Sequence, residues 1–144
     1  MSPTLSLENK VALVTGGSRG IGRAIALEFA ARGAAVVVNY NKSPESAEEV
    51  VKQIQSAGGK AAVHQADVSD FKQAEALVKF SVETFGDLSI LVNNAGITRD
   101  QLIMMMPESD WDAVINTNLK STFNCSKAAV KHIVSKEGTV GYST

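Results

Sequence analysis

The sequence predicts a doubly wound α/β fold built on a parallel sheet. Short apolar runs of strand length recur along the chain, and segments of about a dozen residues with apolar side chains at helical spacing separate them. This alternation favours right-handed crossovers, with helices on both faces of the sheet. The 144 residues, 44% hydrophobic and 20% charged, are enough for one globular domain with a real core.

The first predicted strand, Val11–Val14, runs into a glycine turn and then a helix. The glycines are spaced Gly-x-x-x-Gly-x-Gly, one residue longer than the usual dinucleotide-binding pattern. We expect Gly16 to turn the chain sharply, Gly20 to let the backbone approach a pyrophosphate, and Gly22 to let the helix pack closely on the sheet. The unpaired N–H groups and the dipole at the start of the helix would then hold phosphates. The alternative is a loop that merely needs positive φ, but the strand before it and the helix after it favour a phosphate site.

The later elements continue the alternation. The remaining predicted strands are Ala35–Tyr40, Ala61–Gln65 and Leu88–Val92. Ser43 is expected to begin the second helix, Ser69 or Asp70 the third, and Pro107 a long fourth helix that Gly138 ends. The last six residues leave room for a stub of a fifth strand.

The predicted strand order is 3-2-1-4, as in an incomplete Rossmann-like sheet. In such a sheet the ligand crevice lies at the carboxyl ends of strands 1 and 4, where the order reverses. Thr15–Gly17 and Asn93–Gly96 follow these two strands, so we expect both segments at the crevice.

Composition excludes several classes of function. The formal net charge is −1 and no basic run is present, which disfavours nucleic acid or an anionic membrane as the main partner. A single cysteine, Cys125, excludes an internal disulfide and fits a reducing compartment. No apolar run is long enough to span a bilayer, and residues 1–10 lack the apolar core of a secretory signal. The cytoplasm is the expected location, or an organelle stroma or matrix after removal of a transit peptide. His64 and His132 have no partners at metal-ligand spacing, so no metal site is predicted.

Four motifs in order resemble the short-chain dehydrogenase/reductases. They are Thr15-Gly16-x-x-x-Gly20-x-Gly22, Asp67-Val68, Asn93-Asn94-Ala95-Gly96, and Asn118 within Thr-Asn-Leu. Two longer stretches, 93–100 and 110–119, are similar to the 3-oxoacyl-[acyl-carrier-protein] reductases of fatty acid synthesis and to acetoacetyl-CoA reductases. The resemblance implies a 3-oxoacyl thioester substrate, linked to acyl carrier protein or to CoA, and a homo-oligomer in the full-length family.

The resemblance also implies roles for individual residues. Those implied at the pyrophosphate and adenosine ribose are Gly16, Ser18, Arg19, Gly20, Ile21 and Gly22. Asp67 and Val68 would flank the adenine, while Asn93, Ala95 and Gly96 would lie beneath the ribose and nicotinamide. Asn118 would be the active-site asparagine, which in the family kinks its helix and holds a water behind the catalytic lysine.

Coenzyme choice follows from the end of the second strand. NAD-binding proteins place an acid there to accept a hydrogen bond from the ribose 2′-hydroxyl. This chain has Asn39 instead, followed by Tyr40, Lys42 and Ser43, and Arg19 is expected to face them across the glycine loop. Cationic and hydroxyl groups suit a 2′-phosphate, so we expect NADP(H).

The catalytic serine, tyrosine and lysine of the family are not found in these 144 residues. By register from Gly138 the serine would fall just past Thr144, and Tyr142 stands too soon after Asn118 with no lysine following it. We therefore expect a single NADP-binding domain, residues 1–144, truncated before the catalytic region.

These motifs leave two candidate functions and disfavour a third. The first is an NADPH-dependent reductase of 3-oxoacyl thioesters, of which this chain carries the coenzyme-binding half. The second is a noncatalytic NADP(H)-binding fragment or module. A methyltransferase of similar fold is disfavoured, because the second strand lacks the acid that would hold that cofactor's ribose.

Overall fold

A computed structural model of the chain describes residues 6–95, 120–130 and 142–143, the last pair by backbone only. The strands are β1 (Val11–Val14), β2 (Ala35–Tyr40), β3 (Lys60–Gln65), β4 (Ile90–Asn93) and β5 (Tyr142–Ser143). The helices are α1 (Gly20–Ala31), α2 (Pro44–Ser56) and α3 (Phe71–Phe85), and residues 120–130 are helical and are called α4. The sheet is parallel in the order β3-β2-β1-β4-β5. The predicted fold class, strand order and fifth-strand stub are confirmed.

Alternate side chains of β1 enter two separate cores. Ala12 and Val14 pack with residues of α1 and α2 on one face, whereas Leu13 packs with residues of α3 and α4 on the other. All three are fully buried. Since successive side chains of a strand point to opposite faces, this division is what a sheet covered by helices on both sides requires.

The fourth strand begins two residues later than predicted, because a side chain replaces backbone pairing at its start. The N–H of Ser89 donates to the carbonyl of Val11 at 2.9 Å, and the N–H of Val11 donates to the Ser89 hydroxyl at 3.2 Å. Regular pairing with β1 starts at Ile90, opposite Ala12. The third strand begins one residue earlier than predicted, at Lys60, opposite Ala35.

The helix starts differ in how they are capped. Asp70 caps α3 by accepting from the N–H of Lys72 at 3.0 Å, while the Ser69 hydroxyl donates to Asp67 instead. Ser43 precedes α2 as predicted, but its side chain makes no capping bond. The start of α1 also has no side-chain cap.

Within the described ranges, none of the helices combines the length and the apolar character needed to cross a bilayer. The predicted start of the long helix at Pro107 and its end at Gly138 lie outside those ranges.

Candidate functional site

The glycine loop after β1 is held from the side of β2 by one buried asparagine. The N–H of Gly16 donates to Asn39 Oδ1 at 3.1 Å, and the N–H of Gly17 donates to the backbone carbonyl of Asn39 at 3.0 Å. Asn39 Nδ2 in turn lies 3.2 Å from each of three carbonyl oxygens, those of Tyr40, His64 and Ala66. Only 1% of Asn39 is exposed. The sequence predicted that Asn39 would contact the coenzyme. In the structure, its side chain lies under the glycine loop and connects that loop to β2 and β3.

The same loop is held from the side of β4 by a buried threonine. The Thr15 hydroxyl donates to the carbonyl of Val92 at 3.3 Å and accepts from the N–H groups of Asn94 and Ala95, both at 2.9 Å. Asn94 Nδ2 adds a bond to the carbonyl of Gly16 at 3.0 Å. The segments after β1 and β4 are thus joined directly.

Thr15 and Asn94 are not among the site residues predicted one by one. Two signals could have found them: a hydroxyl residue ends an apolar strand, and Asn94 lies inside the quoted asparagine motif. Their partners are 77 to 80 residues away in the sequence for Thr15 and 78 for Asn94. No local pattern identifies such pairs.

Two glycines are required by crowding around the loop, and a third faces open space. A Cβ on Gly22 would overlap the Asn94 amide and the Gly16 carbonyl, while one on Gly16 (φ +61°) would lie 3.0 Å from the Cα of Ala95. The atoms nearest to Gly22 therefore belong to the segments that follow β1 and β4. Gly20 has φ +57°, and its Cβ would meet nothing within 4 Å.

The amino end of α1 is open. Arg19 occupies the capping position without a side-chain hydrogen bond, and the first turn carries no acidic residue. The N–H of Arg23 bonds the carbonyl of Arg19 at 3.1 Å, which leaves the preceding N–H groups without partners inside the helix. Arg19 and Ile21 are exposed, Ile21 by 66%, whereas Ser18 is 9% exposed. This end of α1 presents N–H donors and the positive end of a helix dipole beside the space at Gly20.

Three of the side chains predicted to recognise a 2′-phosphate lie at the end of β2 or just after it, and each is at least partly exposed. Lys42 is exposed, and Tyr40 and Ser43 are half-buried. Neither Arg19 nor Lys42 forms an ion pair with another described residue. Arg23, by contrast, is 3.1 Å from Gln53 Oε1 and 3.8 Å from a Glu49 carboxylate oxygen, which ties α1 to α2.

The segment after β3 is fixed by its own side chains and by a distant helix. Asp67 Oδ1 accepts from the N–H and the hydroxyl of Ser69 at 3.0 and 2.6 Å, and the N–H of Asp67 donates to Gln73 Oε1 at 2.8 Å. Val68 is 4% exposed, and its carbonyl accepts from Asn124 Nδ2 at 3.1 Å. Asp67 remains half-exposed at the carboxyl edge of the sheet.

The nicotinamide side of the predicted site is described in part. Asn93 is 6% exposed and its Nδ2 lies 3.2 Å from the Ser126 hydroxyl, while Ala95 is half-buried next to Thr15. Gly96 and Asn118 lie outside the described residues.

Other reactive side chains lie away from this edge. Burial raises the pKa of the Cys125 thiol to about 12, so it stays protonated and unreactive. His64 packs on Phe80 with ring centroids 4.5 Å apart, and burial lowers its pKa. In the described part of the chain, no three His, Cys, Asp or Glu side chains are grouped closely enough to hold a metal. A cavity of about 590 Å³ lies at the opposite, amino edge of the sheet, bordered by Lys10 and Gly33, remote from the glycine loop.

The strand order and the glycine loop at its reversal point define a Rossmann-like α/β domain. The family model described as short chain dehydrogenase matches residues 10–141. The chain belongs to this family.

Curated relatives carry a more specific name. The chain is 52% identical over 125 residues to a 3-oxoacyl-[acyl-carrier-protein] reductase of Staphylococcus aureus, covering 87% of this chain and 51% of that protein. It is 48% identical over 126 residues to a 3-oxoacyl-[acyl-carrier-protein] reductase of Synechocystis, covering 88% and 51%. The chain spans about half the length of the curated relatives that it matches.

Solved structures agree with the fold. A short chain dehydrogenase from Burkholderia cenocepacia in complex with NADP has a TM-score of 0.79 at 45% identity, covering 89% of this chain and 52% of that one. A dehydrogenase/reductase from Sinorhizobium meliloti has a TM-score of 0.81 at 42% identity, covering 88% and 50%.

Proposed function

We propose that this chain binds NADP(H) and forms the coenzyme-binding part of an NADPH-dependent reductase of 3-oxoacyl thioesters. The observation that carries the proposal is the uncapped amino end of α1, which opens onto free space at Gly20. On the side of the sheet, the loop is held by hydrogen bonds from Gly16 N–H to Asn39, from Gly17 N–H to the Asn39 carbonyl, and from Asn94 to the Gly16 carbonyl. A loop that is held by hydrogen bonds and has donors on one open side suits a phosphate group that approaches the backbone closely.

The proposed pyrophosphate contacts come from the loop and the first turn of α1. The backbone of Gly20, Ile21 and Gly22 would supply N–H donors, and Gly16 and Ser18 would line the approach. Asn39 supports this arrangement from below, since its side chain is used within the protein.

A preference for NADP over NAD is proposed from charge. The exposed cations Arg19 and Lys42 have no described ion-pair partner, and Tyr40 and Ser43 offer hydroxyl groups nearby in the sequence. A guanidinium binds a phosphate strongly and directionally. The Burkholderia relative was solved with NADP, which supports the same assignment.

The remaining proposed contacts lie along the carboxyl edge of the sheet. Asp67 and Val68 would flank the adenine, and Asn93, Ala95 and Gly96 would lie beneath the ribose and nicotinamide. The bound coenzyme would supply a hydride for reduction of a carbonyl group. Asn118 would belong to the active site of the whole protein, by the family resemblance.

The substrate proposal rests on the relatives. Both curated relatives above are named for reduction of a 3-oxoacyl group carried by acyl carrier protein. A CoA-linked thioester presents the same reacting carbonyl, so acetoacetyl-CoA is a practical probe. For the whole protein we propose a homo-oligomer that works in the cytoplasm.

A noncatalytic NADP(H)-binding module is the second candidate. The 144 residues contain no Tyr-x-x-x-Lys motif, which in the family supplies the acid that protonates the carbonyl oxygen. Under this alternative the chain binds the coenzyme without turning over a substrate.

The test is a fluorescence titration of the folded chain with NADPH and NADH, followed by an assay with acetoacetyl-CoA. We expect NADPH to bind about tenfold more tightly than NADH, and Arg19→Ala to remove most of that difference. Turnover by this chain would support the reductase and would contradict the expectation that the catalytic acid is absent from these residues. Binding without turnover would support the module. If millimolar NADPH leaves its own fluorescence unchanged in the presence of folded protein, the proposal fails.

A further inference from the structure

We infer that Asn124 of α4 is a positioning residue for the adenine side of the coenzyme site. The inference rests on the proposed function. It concerns a side chain that we do not expect to touch the coenzyme but that fixes a backbone segment expected to do so.

Asn124 forms a buried hydrogen bond with a distant part of the chain. Asn124 is 6% exposed, and its Nδ2 donates to the carbonyl of Val68 at 3.1 Å across 56 residues of sequence. Val68 is itself 4% exposed, so its carbonyl has little access to water. When a buried carbonyl loses its donor, the folded state is destabilised by the full desolvation free energy of that carbonyl. The segment that contains the carbonyl then tends to move.

Among the described residues, the other hydrogen bonds of residues 66–68 join this segment to β2 or to residues that follow it closely in sequence. Ala66 is held by Asn39 of the neighbouring strand β2, at 3.2 Å. Asp67 is held by Gln73 at 2.8 Å and by the N–H of Asp70 at 3.0 Å, both close in sequence. Within the described ranges, the bond from Asn124 is the one that ties Val68 to α4.

Other residues of α4 pack in the core or bond to the end of β4. Cys125 and Ala129, on the buried side of α4, pack in the core with Leu77 and Val78 of α3. Ser126 also lies 3.2 Å from Asn93 Nδ2 at the end of β4. One helix therefore contacts the segments expected on both the adenine side and the nicotinamide side of the crevice.

This arrangement couples the docking of α4 to coenzyme binding. If the position of Val68 depends on Asn124, a ligand that selects the docked position must also stabilise α4, because coupling between two sites is reciprocal. The effect should appear with the adenosine half of the coenzyme alone.

The test uses Asn124→Leu, which keeps a similar volume but removes the donor, with Cys125→Ala as the matched control. The control alters the adjacent buried residue of the same helix and leaves the bond to Val68 intact. Affinities for NADPH and for adenosine 2′,5′-bisphosphate are measured by calorimetry on the folded chain. We expect Asn124→Leu to bind both ligands about tenfold more weakly, while the control binds them as the parent does.

Hydrogen exchange separates positioning from a general loss of stability. In the parent chain, adenosine 2′,5′-bisphosphate should slow amide exchange across residues 120–130, and in Asn124→Leu this protection should largely disappear. Equal affinities and equal protection in the variant, with only a lower melting temperature, would overturn the inference. If Asn124→Leu does not fold, Asn124→Ser is measured in the same way.

Failure of the proposed function and failure of the inference about Asn124 give different results. No NADPH binding by the parent chain defeats the proposed function and this inference with it. Normal binding by the parent together with unchanged binding by the Asn124 variant defeats the inference alone.

Discussion

Several buried polar residues, among them Thr15, Asn39, Asn93 and Asn124, gather at the carboxyl edge of the sheet. Each is at most 6% exposed, and each makes at least one hydrogen bond to another segment. Apolar packing has no direction and cannot by itself fix the path of a loop. A buried polar group must find a partner of the right geometry, so these residues determine where the loops lie.

Replacing Thr15 tests whether a buried polar side chain determines where the loops lie. Thr15→Val keeps the shape of the side chain but removes the hydroxyl that serves Val92, Asn94 and Ala95. We expect the free energy of unfolding in urea to fall by about 2 kcal/mol, because two partly buried N–H groups lose their acceptor. Thr15→Ser, which keeps the hydroxyl, should lose clearly less. Equal losses in the two variants would contradict this role.

We expect His64 to make the stability of the fold depend on pH. Burial lowers the pKa of His64 from 6.5, and its buried Nδ1 has no hydrogen-bond partner among the described residues. The unfolded chain therefore binds a proton at a higher pH than the folded chain does, and stability declines as pH falls below about 6.5.

The contribution of His64 is isolated by comparison with His64→Gln. Unfolding free energies of both proteins are measured in urea between about pH 7.5 and pH 5.5, above the range in which carboxylates titrate. The parent chain should lose more stability over this interval than the variant, since all other groups titrate in both. Parallel curves would show that His64 contributes nothing.

At the scale of elements, the start of α1 differs from the start of α3. Asp70 caps α3, and Gly86 closes it in a left-handed conformation with φ 83°. The start of α1 has neither a capping side chain nor an acid in its first turn. A helix end without a cap loses stabilisation of about 1 kcal/mol, which an anion bound there can restore.

Two glycine substitutions separate the folding of this element from its proposed binding role. Ala at position 22 would overlap the carbonyl of Gly16, so Gly22→Ala should lower stability by about 2 kcal/mol or more. Gly20→Ala has open space around it but a left-handed φ of 57°, which costs about 1–2 kcal/mol.

The two variants should differ in how they lose NADPH affinity. Gly20→Ala should stay folded and lose affinity, because its methyl group occupies the space proposed for a phosphate. Gly22→Ala should lose affinity together with its cooperative unfolding transition. Thermal unfolding and fluorescence titration measure the two effects, and unchanged affinity in folded Gly20→Ala would argue against a phosphate there.

At the scale of the whole molecule, α4 carries exposed apolar side chains. Phe123 is 63% exposed and Val130 is 53% exposed, and Lys127 Nζ lies 5.7 Å from the centre of the Phe123 ring. Large apolar side chains left in water favour association.

We therefore expect the 144-residue chain to self-associate, and Phe123→Glu to shift it towards the monomer. Sedimentation velocity at several concentrations measures the change. Ala76→Glu is the control, because it adds the same charge at an exposed position on α3. A parent chain that stays monomeric at all concentrations, or equal shifts in the two variants, would contradict the prediction.

The fold class and the strand order could be read from the sequence because their signals are local. Apolar runs, helical spacing and glycines at the junctions fix each element, and right-handed crossovers leave few ways to arrange four parallel strands. The ends of the elements were predicted less accurately, because they depend on individual side chains. At the start of β4, for example, the Ser89 side chain replaces backbone pairing. The motifs also predicted that the segments after β1 and β4 meet at one edge of the sheet. In the structure, Thr15 joins these segments at that edge.

The roles of individual polar residues were decided only by tertiary structure. Asn39 stands where a coenzyme contact was expected, yet it is buried beneath the glycine loop, and Asn124 carried no signal in the sequence at all. Whether a polar side chain faces solvent or holds a loop depends on which distant backbone groups come within about 3 Å of it. Local patterns determine which strands and helices form, whereas the pairing of a donor with an acceptor dozens of residues away is settled only when the chain packs.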